Sequence, residues 1–188
     1  MGKTFQLSLA CAFGMSRSLN VVITAVMAER ATYLGGRHIH FLFCLPGQNT
    51  RNIHKLIDRA IRSLNRNPEK LQFLRTLDVI FIDEMGYMSA ELLNIMDTVL
   101  RCIRGKSAFM GGVLIIGTMD PQQLQPIKAK PVLLSSLIPT CFEMVEMEHS
   151  IRARGDLLLQ ELIKISRKFP PTEEDKNRFK YIIIHECK

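Results

Sequence analysis

Residues 77–93, LDVIFIDEMGYMSAELL, set an unbroken apolar run, Val79-Ile80-Phe81-Ile82, directly before two adjacent carboxylates, Asp83 and Glu84. A strand covered on both faces reads as such a run, because neither of its faces meets water. The sequence therefore asks for a sheet sandwiched between two layers, with this strand inside it. In open α/β sheets the carboxyl ends of the strands rim a crevice in which ligands bind. Asp83 and Glu84 fall at that end. Either they mark a site or the strand simply exits into solvent.

The first residues, MGKTFQLSLACAF, bear on the choice. Gly2-Lys3-Thr4 ahead of an apolar helical pattern has the form of the last three positions of a phosphate loop, G-x-x-x-x-G-K-[ST]. Such a loop turns backbone N–H groups and a helix N-terminus toward phosphates, while its lysine reaches the terminal phosphoryl oxygens and its hydroxyl ligates magnesium. Magnesium takes oxygen ligands, keeps several waters, and is held by few protein groups plus substrate phosphates. Lys3 is then expected at the phosphates of ATP, and Thr4 and Asp83 at Mg2+, directly or through water. Glu84, one residue on, is expected to orient or deprotonate the water that attacks the γ-phosphate. Each motif alone is weak; together they point to a nucleotide at the strand end.

The 188 residues suit one domain with a sizeable core, and a hydrophobic content of 47% is that of a folded chain. No apolar run approaches a membrane span of about 18 residues, and no basic-then-apolar leader opens the chain, so an intracellular protein, nuclear or cytoplasmic, is expected. The five cysteines (Cys11, Cys44, Cys102, Cys141, Cys187) are odd in number, scattered, and mostly within apolar segments, which reads as buried thiols. His38 and His40 have no cysteine or carboxylate at metal-ligand spacing.

A formal charge of +7 permits a polyanionic partner. Between Thr50 and Asn67, Ile53, Leu56, Ile57, Ala60, Ile61 and Leu64 follow helical spacing, and Arg51, Lys55, Arg59, Arg62 and Arg66 share the opposite face. That stripe is either a solvated face or a surface that follows a phosphate backbone.

Along the chain the pattern predicts a helix over 3–13, a strand over 20–25, the basic helix, a short helix over 68–75, the Val79 strand, a helix capped by Ser89, the VLIIG strand, a further strand over 141–147 and a helix over 156–169. Alternation of this kind means a three-layer α/β sandwich with a largely parallel sheet. The strand that feeds such a phosphate loop and most of the loop itself do not precede Gly2, so the first strand is expected to be missing. Residues 1–169 read as one partial domain and 170–188, after Pro170-Pro171, as a loosely attached tail.

At GTMDPQQLQPIKAKP the sequence resembles the third motif of the Pif-type (petite integration frequency) branch of superfamily 1 DNA helicases, Gly-Asp-x-x-Gln-Leu-x-Pro, through Asp120, Gln123, Leu124 and Pro126. VVITAVMAERATYLGGRHIHFLF is similar to motif Ia of that family at Thr24, Ala25, Ala31, Gly35, Gly36, Ile39 and His40. FIDEMGYMSAELLNIMDTVLRCIRG resembles the motif carrying the metal-binding Asp and catalytic Glu, and MEHSIRARGD resembles motif IV. Four motifs in order cover roughly residues 2–167.

The resemblance implies a RecA-like P-loop NTPase domain that hydrolyses ATP with Mg2+, Gln123 sensing the γ-phosphate and Arg152 contacting it, and single-stranded DNA as partner, Thr24 and His40 lying in a DNA-contacting motif. It implies an ATP-dependent DNA helicase, with DNA repair and recombination as its setting, moving 5′ to 3′. Two departures weaken parts of this: Met119 stands where the family has glycine, and Met27-Ala28 where it has Thr-Gly. The chain is therefore expected to be the first motor domain of such a helicase, incomplete at both ends and monomeric by default. A nucleotide kinase would need an arginine-rich lid that the sequence after Val113 does not carry. The other reading is a non-catalytic remnant that binds nucleotide or nucleic acid.

Overall fold

The structure is a computed structural model that describes residues 2–46, 52–121, 126, 129–147, 155–167 and 170–182. The chain divides into two compact units, Lys3–Met144 and Val145–Lys188 with Met1–Gly2.

In the larger unit, helix α1 (Lys3–Ser16) leads into strand β1 (Val21–Ala25), followed by α2 (Ala28–Tyr33), β2 (Arg37–His38), α3 (Ile39–Leu42), α4 (Ile53–Asn65), α5 (Pro68–Thr76), β3 (Val79–Asp83), α6 (Ala90–Arg104), β4 (Leu114–Gly117) and α7 (Leu137–Cys141). The four strands form one parallel sheet in the order β2-β1-β3-β4, with Ala25 opposite Asp83 and Ile82 opposite Gly117. All five residues of β3 are buried. Alternation along β3 divides them between two cores: Val79 and Phe81 pack with Leu7 and Cys11 of α1, while Ile80 and Ile82 join the larger cluster built by α4, α5 and α6. The continuous apolar run is thus the mark of a strand with a helical layer on each side.

Local chemistry sets the helix ends. Asn52 accepts the Lys55 N–H to start α4, Asn67 accepts that of Lys70 with Pro68 at the first turn of α5, and Ser89 accepts that of Leu92 to start α6. Gly105, at φ 63°, closes α6 in the left-handed conformation that favours glycine. The inner face of α6 buries Leu93, Met96, Val99 and Leu100 completely, at about 1.5–3 kcal/mol of transfer free energy for each large side chain. The expected apolar face of α4 also holds: Ala60 and Leu64 are fully buried and Ile53, Leu56, Ile57 and Ile61 pack on the same cluster.

Residues 141–147 are not a strand. Cys141 ends α7 and residues 142–147 are irregular, with Met144 and Val145 62% and 84% exposed where a core strand would bury them. Cys11 is buried and Cys44 half-buried, but Cys102 and Cys141 are exposed, which corrects the expectation of buried thiols for those two; Cys187 lies outside the described residues.

In the smaller unit, α8 (Leu157–Ser166) is capped by Asp156, and α9 (Glu173–Tyr181) starts with a capping box in which Thr172 and Asp175 satisfy each other's backbone N–H. Arg178 ties the two helices through a two-pronged contact to Glu161, at 2.7 and 2.9 Å, and these hydrogen bonds hold the Glu161 carboxyl below its ordinary pKa. No described helix is long and apolar enough to cross a membrane.

Candidate nucleotide site

The amino end of α1 and the carboxyl ends of β3 and β4 meet in the larger unit, and their polar side chains form one cluster. Asp83, the last residue of β3, is fully buried although it is a carboxylate. A buried carboxylate is tolerable only when its oxygens are hydrogen-bonded or paired. Its Oδ1 accepts the Thr118 hydroxyl at 2.8 Å and the Thr4 hydroxyl at 3.2 Å, and its Oδ2 accepts Arg30 Nη2 at 2.6 Å. The same Arg30 nitrogen donates to Thr4 Oγ1 at 2.9 Å. Four elements thus converge on one carboxylate.

Lys3, beside Thr4 in the first turn of α1, lies 3.4 Å from Asp120 Oδ2, with the two side chains 14% and 5% exposed. Two cationic donors here are buried without a hydrogen-bond acceptor among the described residues: Lys3 Nζ and Arg30 Nε. An unsatisfied buried donor costs about 1–3 kcal/mol, more when charged, so each of the two donors favours an anionic acceptor, beyond the ion pair that Lys3 makes with Asp120.

The loops leaving β3 and β4 are stitched together. Thr118 accepts the Glu84 N–H on its hydroxyl at 3.2 Å and the Met85 N–H on its carbonyl at 2.7 Å, while its own N–H reaches the Ile82 carbonyl at 2.9 Å. Met85 lies against the end of β4, where a Cβ on Gly117 would come within 2.6 Å of its sulfur. Glu84 takes the left-handed conformation, φ 53° and ψ 48°, a strain of about 1–2 kcal/mol for a residue with a Cβ. That turn separates the two carboxylates. Asp83 is locked inward and Glu84 is half-exposed at the rim.

Lys3, Thr4, Asp83 and Glu84 therefore come together, with Gly2 directly preceding α1. Gln123, Arg152 and Arg51 lie outside the described residues. Lys55, Arg59 and Arg62 project exposed from α4, and Arg66 is its exposed C-cap. Thr24 is fully buried and its hydroxyl donates to the Phe81 carbonyl, so it joins two strands and offers no surface to DNA. His40 is half-buried. Its ring stacks on His38 at 5.1 Å, and His38 Nε2 donates to the Val26 carbonyl at 2.8 Å. Burial, and secondarily the charge of His38, push the His40 pKa down from 6.5.

Arg30 and Thr118 carry roles that the sequence reading missed, as does Asp120 in pairing with Lys3. Thr118 had a signal, a polar residue just beyond an apolar run that reads as a strand, the same signal that marks Asp83. Arg30 had none.

The ligand types are those of magnesium: the Thr4 hydroxyl and Asp83 Oδ2, 3.4 Å apart. The position between them is where Arg30 Nη2 stands.

The profile of the PIF1-like helicase family matches residues 1–156. Among curated proteins, the ATP-dependent DNA helicase Pif1 of Psychrobacter sp. (strain PRwf-1) is 27% identical over 129 residues, 69% of this chain and 19% of that protein. The crystal structure of Pif1 helicase from Candida albicans shares the fold with a TM-score of 0.77 at 21% identity, covering 95% of this chain and 41% of that one. A Bacteroides Pif1 helicase in complex with ADP-AlF3 and single-stranded DNA gives a TM-score of 0.70 at 20% identity over 93% of this chain and 42% of that one. The chain thus spans less than a fifth of the curated relative and under half of the solved ones.

Proposed function

Because the chain belongs to the PIF1-like helicase family, we propose that Lys3–Met144 forms the nucleotide-binding motor domain of an ATP-dependent DNA helicase, which couples ATP hydrolysis to movement along single-stranded DNA. The observation that carries the reading is the pair of buried cationic donors, Lys3 Nζ from the first turn of α1 and Nε of the arginine that is bonded to the Thr4 hydroxyl. Phosphate oxygens are the acceptors that such a place fits.

In this reading Lys3 exchanges Asp120 for the β- and γ-phosphates. Thr4 and Asp83 are of the residue types that hold magnesium, which would neutralise phosphate charge, and Arg30 Nη2 is bonded to both of them. Glu84, half-exposed beside the locked Asp83, orients or deprotonates the attacking water. Gln123 and Arg152 answer to the γ-phosphate on the strength of the family resemblance. Translocation and duplex unwinding need two motor domains that close over the nucleotide, and we assign to Lys3–Met144 the ATP-reading half of that cycle. DNA repair and recombination are the proposed setting, within the cell.

A second reading has an observation of its own. Arg30 stands where a metal would bridge Thr4 and Asp83, and that favours a domain that binds nucleotide without turning it over. Equilibrium binding of a fluorescent ATP analogue tests the shared premise: Lys3→Ala is expected to abolish binding, and unchanged affinity would sink the phosphate-site assignment. Phosphate release in the presence of single-stranded DNA separates the two readings.

A further inference from the structure

The oxygens of Asp83 and Thr4 that a metal would use are already engaged by protein donors. Oδ1 accepts two hydroxyls, from Thr118 and Thr4. Oδ2 accepts Arg30 Nη2 at 2.6 Å, the short distance of a charge-assisted bond. The single proton of the Thr4 hydroxyl is directed to Asp83, which leaves that oxygen's lone pairs for an acceptor role, and Arg30 Nη2 takes it at 2.9 Å. One nitrogen, carrying part of a full positive charge, is thus bonded to both oxygens that would ligate magnesium. A magnesium ion at about 2.0–2.1 Å from the same two atoms would need the same space and would face a fixed cation at contact distance.

The cation is well seated. Asp83 is fully buried and the Arg30 side chain 31% exposed, so the pair has one dry and one wet end. The guanidinium also lies over the Tyr33 ring, 5.7 Å from its centroid, one helical turn further along α2. Arginine stays charged at any physiological pH. Its Nε, buried and without an acceptor among the described residues, remains available to a further oxygen.

We propose that Arg30 is a resident cation in the magnesium position, so that this chain binds the phosphates of a nucleoside di- or triphosphate without a divalent metal. The nucleotide part of this inference rests on the proposed function; the exclusion of metal from the Thr4–Asp83 pair does not. Arg30 Nη2 holds Thr4 and Asp83 in place, and Lys3 Nζ and Arg30 Nε face the phosphate oxygens.

Two measurements test it. The first uses metal alone: thermal unfolding of the wild-type chain and of Arg30→Met, with EDTA or with millimolar Mn2+. The wild-type midpoint is expected to stay put. Arg30→Met, which leaves Asp83 buried without its cation, is expected to melt several degrees lower and to regain part of the loss with Mn2+, a gain abolished by adding Asp83→Asn. Mn2+ bound one-to-one to the wild-type chain by electron paramagnetic resonance, and lost in Asp83→Asn, would overturn the proposal. That measurement needs the wild-type and Asp83→Asn chains and not Arg30→Met, so an Arg30→Met chain that does not fold leaves the proposal exposed to refutation.

The second measures a fluorescent ADP analogue. Wild type is expected to bind equally with EDTA or with magnesium, whereas Arg30→Met becomes magnesium-dependent by about tenfold or more. A comparable magnesium dependence in wild type would refute the inference. If neither protein binds nucleotide under any condition, the proposed function falls, and the Mn2+ measurement still decides whether Arg30 keeps metal out.

Discussion

Two of the buried carboxylates of the larger unit, Asp83 and Asp97, are each paired with an arginine, and they do different work. Asp97, on α6, accepts Arg101 one turn along its own helix at 2.9 Å and the Met110 backbone N–H at 2.6 Å. Its partners are local or main-chain, and they fix the turn at Met110 and Gly111, both in the left-handed conformation, that feeds β4. Asp83 is held by side chains alone, from α1, α2 and the residue after β4. A main-chain partner has no other use. Side-chain partners at a strand end have lone pairs and charges that a ligand can claim. Burial and an arginine are therefore poor signs of a site; the origin of the partners is the better one.

The sharpest way to break this contrast is at the rim. Glu84→Gln removes a carboxylate that takes no part in packing Asp83, so nucleotide affinity and melting temperature should hold while turnover falls by about 10²-fold or more, the scale of a lost general base. Single-turnover phosphate release measures it. A fall in melting temperature would place Glu84 with the structural carboxylates.

Asp97→Ala should do the opposite. It leaves the Met110 N–H buried without an acceptor, at a cost of about 1–3 kcal/mol, which is roughly 2–12 °C in melting temperature for a domain of this size. Affinity for a fluorescent nucleotide should be unchanged. Weakened binding would show that the turn before β4 is coupled to the site through Thr118.

The contrast also explains what could be read without the structure. β3, its two helical layers and the Ser89 cap follow from short-range pattern, since an apolar run or a capping spacing is complete within a few residues. The convergence of Lys3, Thr4, Asp83 and Glu84 was legible because phosphate loops and strand-end carboxylates occupy fixed places in parallel sheets. The grip of Arg30 was not. It depends on α2 being a six-residue helix that turns a long side chain back over β1 onto a carboxylate 53 residues away, and no local spacing encodes that reach. Residues 141–147 misled because a short run rich in apolar residues looks alike whether or not a sheet edge stands ready to receive it.

His40 offers a smaller effect of the same kind. Its Nδ1 is buried without a partner among the described residues, and its pKa is lowered by desolvation first and by the charge of His38 second. The unfolded chain then binds more protons than the folded one. Stability from this group is complete above the ordinary value of 6.5 and is lost as pH falls through the lower folded value. Denaturant midpoints taken from neutral pH downward should decline in wild type and decline less in His40→Gln. Identical curves would mean that the histidine stack carries no titratable load.

The smallest expected effect concerns cations that already have partners. On α4, Arg62 Nε donates to the Asp58 carbonyl of its own helix at 3.2 Å, yet the side chain is exposed, and Lys55, Arg59 and Arg66 are exposed with it. A main-chain bond from one nitrogen leaves the rest of the guanidinium fork to face a phosphate, so here a structural contact and a binding role are compatible. Several such cations on one helical face would release condensed counterions together when they meet a phosphate backbone, each single-strand contact contributing about 0.7 to the slope of log affinity against log salt. Arg59→Ala with Arg62→Ala is then expected to flatten that slope for single-stranded DNA by roughly one to one and a half units, with a modest and sequence-independent loss of affinity. The nucleotide site should be indifferent to the change. If affinity and slope both stay as they were, the stripe is a solvated face, and any DNA that this chain holds is gripped elsewhere.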